Sequence, residues 1–110
     1  MINKTAPLAL SAILSVSVIG QAQADKLDEI ISSGTLRCAV TLDFPPMGFR
    51  DDNNQPVGFD VDYCNDLANV LEVDAEIVET PFPDRIPALV SGRADVIVAS
   101  TSDTLGRAKT

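Results

Sequence analysis

Two segments of this chain are candidates for a ligand site, and the first has the residue types and spacing to bind a small anion. Residues 100–104 (STSDT) follow a run of apolar residues, and Arg107 comes three residues later. Hydroxyl groups and free backbone N–H groups at the start of a helix bind anions, and a guanidinium adds two parallel hydrogen bonds to a carboxylate. The alternative is an ordinary Ser/Thr cap beside a solvated arginine. The second segment, residues 43–46 (DFPP), follows an earlier apolar run.

Composition excludes several other kinds of site. The 110 residues contain no His, which excludes His-ligated metal centres and Ser-His-Asp or Cys-His catalysis. Lys and Arg number 8 against 16 Asp and Glu, a net charge of −8 without a basic stripe, which argues against nucleic acid as a partner. Asp60, Asp62 and residues 51–54 lack the spacing of a calcium loop. We therefore expect neither a metal nor a cofactor.

Residues 1–24 have the features of a cleavable export signal. Lys4 provides a positive end, residues 8–19 are mainly apolar, and residues 22–24 (AQA) form a small-x-small cleavage site. The apolar run is shorter than the ~20 residues needed to span a bilayer. Cleavage would leave a chain beginning at Asp25, with 7 basic and 16 acidic residues and a net charge of −9. The expected compartment is oxidising and lies outside the cytoplasm.

The remaining sequence predicts strands that alternate with helices. Helices are predicted over 26–33, from Asp60 to about residue 71, and over 83–91. Strands are predicted over 36–41, 75–80 and 95–100, with a hairpin or loop tip over 50–57.

Apolar spacing indicates which face of each element is buried. The second helix has an apolar face, with Asp60 as its expected N-cap and Asp62 in its first turn. The third helix is expected to turn three side chains inward, and residues 96–99 predict a strand that is buried on both faces. The positions of the two helix faces are Val61, Cys64, Leu67, Ala68 and Leu71, and Ile86, Leu89 and Val90.

This order predicts an α/β fold with a parallel sheet built from right-handed βαβαβ units. Ligands of such sheets lie beyond the carboxyl ends of the strands, where residues 43–46 and 100–104 fall. Three strands make a poor independent core. We therefore interpret residues 25–110 as the amino-terminal piece of a longer protein, which would be only marginally stable alone.

One motif resembles the signature of a known family. Residues 58–62 (GFDVD), continued by residues 64–68 (CNDLA), are similar to the signature of the family 3 extracellular solute-binding proteins. These proteins are the periplasmic receptors of polar amino-acid ABC transporters. The likeness runs from about Leu27 to the end of the chain and includes the Pro-Pro pair and residues 91–107 (SGRADVIVASTSDTLGR). It implies a two-lobed periplasmic-binding-protein (type II) fold, with residues 25–110 as an incomplete first lobe.

The resemblance also implies a set of ligand-binding residues. Phe44 lies where family members place an aromatic ring against the ligand side chain. Ser100 and Ser102 lie where hydroxyl and N–H groups contact the ligand, and Arg107 matches the arginine that pairs with the α-carboxylate. Two departures from the family pattern are Leu105-Gly106 before this arginine and Tyr63 within the signature.

Cys38 and Cys64 are the only cysteines. One is predicted in the first strand and the other on the inward face of the next helix. A disulfide between them is therefore geometrically reasonable in an oxidising compartment. Two buried free thiols are the alternative.

Taken together, these features predict a periplasmic substrate-binding component of an amino-acid ABC transporter. The full-length protein is expected to be a monomer that closes on a free amino acid and docks on a permease in the inner membrane, without catalysis. Two alternatives have the same fold. One is a periplasmic enzyme similar to cyclohexadienyl or arogenate dehydratase, and the other is an extracellular sensor module. The sequence does not specify which amino acid is bound.

Overall fold

A computed structural model of the protein describes residues 25–109; the predicted export signal, residues 1–24, lies outside this range. The helices are α1 (Lys26–Ser33), α2 (Phe59–Val70) and α3 (Arg85–Val90). The strands are β1 (Thr35–Val40), β2 (Phe49–Arg50), β3 (Pro56–Val57), β4 (Asp74–Glu79) and β5 (Val96–Ile97). Two 3₁₀ turns cover Phe82–Asp84 and Arg107–Lys109. Within residues 25–109, no helix is both long and apolar enough to cross a membrane.

The main sheet is parallel, as the sequence predicts. Its order is β4-β1-β5, with β1 in the centre. Every residue of β1 pairs with β4, from Thr35 opposite Asp74 to Val40 opposite Glu79. Strand β5 pairs with β1 only at two positions. Strands β2 and β3 form the predicted hairpin. A parallel sheet whose strands alternate with helices makes the described chain an α/β fold.

The core lies between β1 and α2. Leu36, Cys38 and Val40 of β1 have no exposed surface, because β1 is flanked by strands and covered by helices. The buried face of α2 follows the predicted spacing, since Val61, Cys64 and Ala68 are buried. Leu67 and Leu71 pack against the same cluster.

A disulfide joins these two elements. The Sγ atoms of Cys38 and Cys64 are bonded, and their Cα atoms lie 6.3 Å apart. This confirms the predicted bridge over the alternative of two free thiols. The bond closes a loop with a sequence separation of 26 residues. In the chain-entropy model, a loop of this size stabilises the fold by about 3 kcal/mol.

The buried face predicted for the third helix is wrong at two of its three positions. Leu89 is 40% exposed and Val90 is 62% exposed, whereas Ala88 is completely buried. Ala88 packs against Ala39 and Ala94. Because successive helical residues are rotated by about 100°, a contact centred on Ala88 turns the two following side chains outward.

The third predicted strand is also shorter than expected. Only Val96–Ile97 is extended, within the predicted range 95–100. Residues 96–98 are half-buried rather than buried on both faces. Strand β5 lies at the edge of the described sheet, where it has a single neighbouring strand.

Candidate functional site

Three chain segments leave the sheet at the same edge. The segments after β1, β4 and β5 contain Phe44, Phe82 and Ser100 respectively. Because the three strands are parallel, their carboxyl ends lie together, and this is the edge at which open α/β sheets bind ligands.

The segment after β1 is a tight turn that presents Phe44. The backbone N–H of Phe44 donates to the carbonyl of Gly48 (2.9 Å), and the N–H of Met47 donates to the carbonyl of Phe44 (2.9 Å). A Cβ atom at position 48 would lie 2.2 Å from the carbonyl oxygen of Thr41. Only glycine fits this position, so the turn packs closely against the end of β1.

Helix α2 begins against the same turn. The N–H groups of Phe59 and Asp60 donate to the carbonyls of Pro46 and Met47 at 3.2 and 2.7 Å. Gly58 has φ of +118°, and a Cβ atom there would lie 2.5 Å from the Met47 carbonyl oxygen. The glycine of the signature motif is therefore required both by backbone conformation and by close approach.

The expectation that Asp60 caps α2 is wrong. Gly58 is the N-cap, and Asp60 lies two residues after it, in the first turn of the helix, where it is 6% exposed. Since loop carbonyls already accept from the first helical N–H groups, a side-chain cap is not needed. Burial raises the pKa of Asp60 above its ordinary value. Asp62 lies in the first turn, as predicted.

Phe44 forms an aromatic pair with Phe82. The ring centroids are 5.7 Å apart and the planes meet at 86°, an edge-to-face arrangement. Both rings are partly exposed, at 45% and 39%, so that they present apolar surface at the edge of the sheet. The sequence analysis missed Phe82. Its signal was a lone aromatic residue between two prolines directly after a predicted strand.

Arg107 and Ser102 lie together on the segment after β5. The Nη1 atom of Arg107 donates to the Ser102 carbonyl (2.5 Å), and Thr104 Oγ1 accepts from the Arg107 N–H (3.2 Å). Ser102 is exposed and Arg107 is half-buried. The hydroxyl-bearing loop and the guanidinium that the sequence singled out therefore belong to one local structure.

Ser100 has a second arginine beside it, which the sequence analysis also missed. Arg85 Nη1 donates to the carbonyls of Ala99 (2.7 Å) and Ser100 (3.2 Å). Its guanidinium carbon lies 4.2 Å from the centre of the Phe82 ring. Arg85 thus connects the aromatic pair to the segment after β5, through contacts more than ten residues apart in sequence.

Several cavities are open on the described surface, at both ends of the strands. A cavity of about 100 Å³ lies between the segments that follow β1 and β4, and one of about 240 Å³ is lined by residues on both sides of Arg107. A third cavity, of about 330 Å³, lies at the opposite, amino end of the strands. Strand topology and the exposed aromatic pair favour the smaller cavities as parts of a ligand site. The lining of the first is Thr41, Leu42, Asp43, Glu79, Thr80 and Pro81.

The large cavity borders an ion pair that joins β1 to the start of β5. Arg37 Nη2 and Nε donate to the two carboxylate oxygens of Asp95 at 2.7 and 3.1 Å. Burial alone would raise the pKa of Asp95, but the hydrogen bonds and charge of Arg37 outweigh it, and the pKa lies below its ordinary value. Among residues 25–109, no buried side-chain nitrogen or oxygen lacks a hydrogen-bond partner, and the Arg37–Asp95 pair is satisfied within the fold, which indicates a structural role.

No group of three or more His, Cys, Asp or Glu side chains within residues 25–109 is arranged to hold a metal ion.

Comparison with known proteins identifies the family. The model of the bacterial extracellular solute-binding proteins, family 3, matches residues 36–110. The chain belongs to this family. The matched range contains the signature at the start of α2, the aromatic pair and the Arg107 turn.

Relatives with known functions are of two kinds. The chain is 35% identical, over 97% of its length, to the cyclohexadienyl dehydratase of Pseudomonas aeruginosa. It is 31% identical, over 88% of its length, to the L-arginine-binding protein of the same species. The matches cover 38% and 35% of these relatives, so the chain spans less than two fifths of their length.

Solved structures with a similar backbone are type II periplasmic binding proteins. An ancestral cationic amino acid solute-binding protein (AncCDT-1) matches with a TM-score of 0.73 and 40% identity, covering 77% of this chain and 37% of that chain. The arginine-bound form of domain 1 from TmArgBP matches with a TM-score of 0.70 and 41% identity, covering 74% of this chain and 64% of that domain. The fold predicted from the sequence is therefore confirmed.

Proposed function

We propose that this chain is the ligand-binding first lobe of a periplasmic receptor for a free amino acid, and that the receptor delivers this ligand to an ABC permease. Residues 1–24 would direct export and residues 25–110 would form part of the lobe. The observation that carries the proposal is that the Phe44–Phe82 pair and the segment that bears Arg107 both follow the carboxyl ends of parallel strands, and that Arg85 contacts both.

The chemistry of this edge suits a zwitterion with an extended side chain. Arg107 provides a positive charge beside the exposed Ser102, which favours a carboxylate. The exposed rings of Phe44 and Phe82 provide apolar contact for the aliphatic part of a side chain, and their faces attract cations. Relatives that bind arginine and cationic amino acids support testing these ligands first.

Calorimetric titration of the full-length protein with the twenty amino acids tests the proposal. We expect one or a few to bind, and their decarboxylated amines to bind much more weakly, because they lack the carboxylate. A folded full-length protein that binds none of the twenty would contradict it.

A second candidate function is dehydration of prephenate or arogenate. The observation in its favour is the identity to a cyclohexadienyl dehydratase over 97% of this chain. Such a reaction needs a general acid positioned at the leaving hydroxyl group. Assaying the full-length protein for phenylpyruvate formation from prephenate separates the two functions, because a binding protein turns over no substrate.

A further inference from the structure

The loop after β5 has an unusual backbone at Ser100. Its φ is +48°, in the left-handed region that residues other than glycine rarely adopt. A left-handed residue places neighbouring peptide groups on the same side of the chain, which is the arrangement that forms anion-binding concavities. Within residues 25–109, the N–H groups of Ser100, Thr101 and Ser102 have no acceptor.

Arg85 holds the opposite side of this loop. Its Nη1 atom donates to the consecutive carbonyls of Ala99 and Ser100 and approaches Thr101 Oγ1 at 3.4 Å. In a planar trans peptide, the N–H points opposite to the carbonyl. The N–H groups of Ser100 and Thr101 therefore point away from the Arg85 guanidinium.

The guanidinium is itself fixed from the other side. Arg85 Nε donates to the carbonyl of Phe82 at 2.8 Å, and the guanidinium lies over the Phe82 ring. Arg85 is half-buried, and its contacts use backbone carbonyls and an aromatic face rather than a carboxylate. The positively charged guanidinium thus binds the carbonyls of Ala99 and Ser100, which lie next to the proposed ligand site.

We infer that Arg85 is a positioning residue, which turns the N–H groups of Ser100 and Thr101 toward the carboxylate of the ligand while Arg107 supplies the charge that pairs with it. The inference rests on the proposed function, since it names how the same site is organised. It assigns the two arginines different roles: one binds the carboxylate and the other shapes the loop that receives it.

The test compares Arg85→Met, Arg85→Lys and the control Arg93→Met in the full-length protein. Met preserves apolar contact with Phe82 and removes the donors, and Arg93 is an exposed arginine just beyond α3. The ligands are the tightest-binding amino acid of the panel and its decarboxylated amine, starting with L-arginine and agmatine. Arg85→Met should weaken amino-acid binding by about 10- to 100-fold, as expected for lost hydrogen bonds to a charged group.

The amine lacks the carboxylate, so its weak binding should change less than about twofold in Arg85→Met by the same reasoning. Arg85→Lys should restore part of the affinity. Equal losses for amino acid and amine, or no loss for either, would overturn the inference. Binding by wild type and by Arg93→Met shows separately that the proposed function holds.

Amide chemical shifts in the ligand-free protein distinguish positioning from direct contact between Arg85 and the ligand. If Arg85 orients the loop, Arg85→Met shifts the amide resonances of Ser100, Thr101 and Ser102 before any ligand is added. Unchanged resonances, together with a loss of affinity, would show direct contact and overturn the positioning role.

Discussion

At the scale of single residues, the candidate site is built from side chains that hold backbone groups. Arg107 donates to the carbonyl of Ser102, and Arg85 donates to those of Ala99 and Ser100. Gly58 allows the loop carbonyls of Pro46 and Met47 to receive the first N–H groups of α2. The positions of the proposed ligand-binding groups therefore also depend on Arg85 and Gly58, for which no ligand contact is proposed.

The sequence could indicate Arg107 and Phe44 because each belongs to a local pattern. Arg107 follows a run of hydroxyl residues, and Phe44 precedes two prolines. Arg85 and Phe82 had no such pattern, because their contacts join segments that are brought together only by the parallel sheet. The spacing of residues along one segment does not reveal contacts with a segment that is distant in sequence.

The Arg37–Asp95 pair predicts a specific dependence of stability on pH. The pKa of Asp95 is lowered in the folded state, so the pair stabilises the fold above the ordinary value near 3.8 and loses this contribution as pH falls through the folded-state value. Asp95→Asn in the full-length protein should lower the free energy of unfolding by about 2 kcal/mol at pH 7, because charged hydrogen bonds are lost. Urea unfolding from pH 7 to pH 2 measures both effects.

The control for this variant is Asp62→Asn, an exposed acidic residue in the first turn of α2. It should change stability by less than about 0.5 kcal/mol, as is usual for surface positions. The account would be contradicted if Asp95→Asn were as stable as wild type at pH 7 and lost the same amount of stability in acid.

At the scale of elements, the regular pattern of α2 was sufficient to predict its buried face. Val61, Cys64 and Ala68 recur at helical spacing over about two turns, and all are buried. The short helix α3 did not follow its apolar pattern, since close packing of Ala88 against Ala39 and Ala94 decides its orientation. A six-residue helix has too few positions for periodicity to outweigh one tight contact.

The disulfide between β1 and α2 gives a second prediction. Replacing Cys38 and Cys64 together by Ala should lower the free energy of unfolding of the full-length protein by about 3 kcal/mol, since the unfolded chain gains the freedom of the open loop. Urea unfolding of the double variant, beside wild type with and without reductant, measures the change. Reduced wild type should unfold near the midpoint of the double variant. An unchanged midpoint in both would show that the bond contributes nothing to stability.

At the scale of the whole molecule, the described chain exposes several large apolar side chains. Val70, Val90 and Leu105 are 78%, 62% and 88% exposed, and the main sheet has three strands. The fold class could be predicted because alternating strands and helices with a buried central strand allow few arrangements. The lengths of β5 and α3 could not be predicted, because each is set by neighbours that are distant in sequence.

We predict that residues 25–110 produced alone are marginally stable. A small domain buries a low fraction of its surface, and three strands supply little apolar contact. Circular dichroism should show no cooperative thermal transition for this piece under conditions in which the full-length protein has one. A sharp, reversible melt of the isolated piece would contradict the prediction.

In the proposed receptor, Arg107 binds the carboxylate of a free amino acid. The direct measurement is calorimetric titration of full-length wild type, Arg107→Met and the control Lys109→Met with the best-binding amino acid. Lys109 lies on the same 3₁₀ turn and is exposed. We predict that Arg107→Met weakens binding by about 100-fold or more, as expected when a bidentate charged pair is lost, and that Lys109→Met binds as wild type does. Equal affinity of Arg107→Met and wild type would contradict the account.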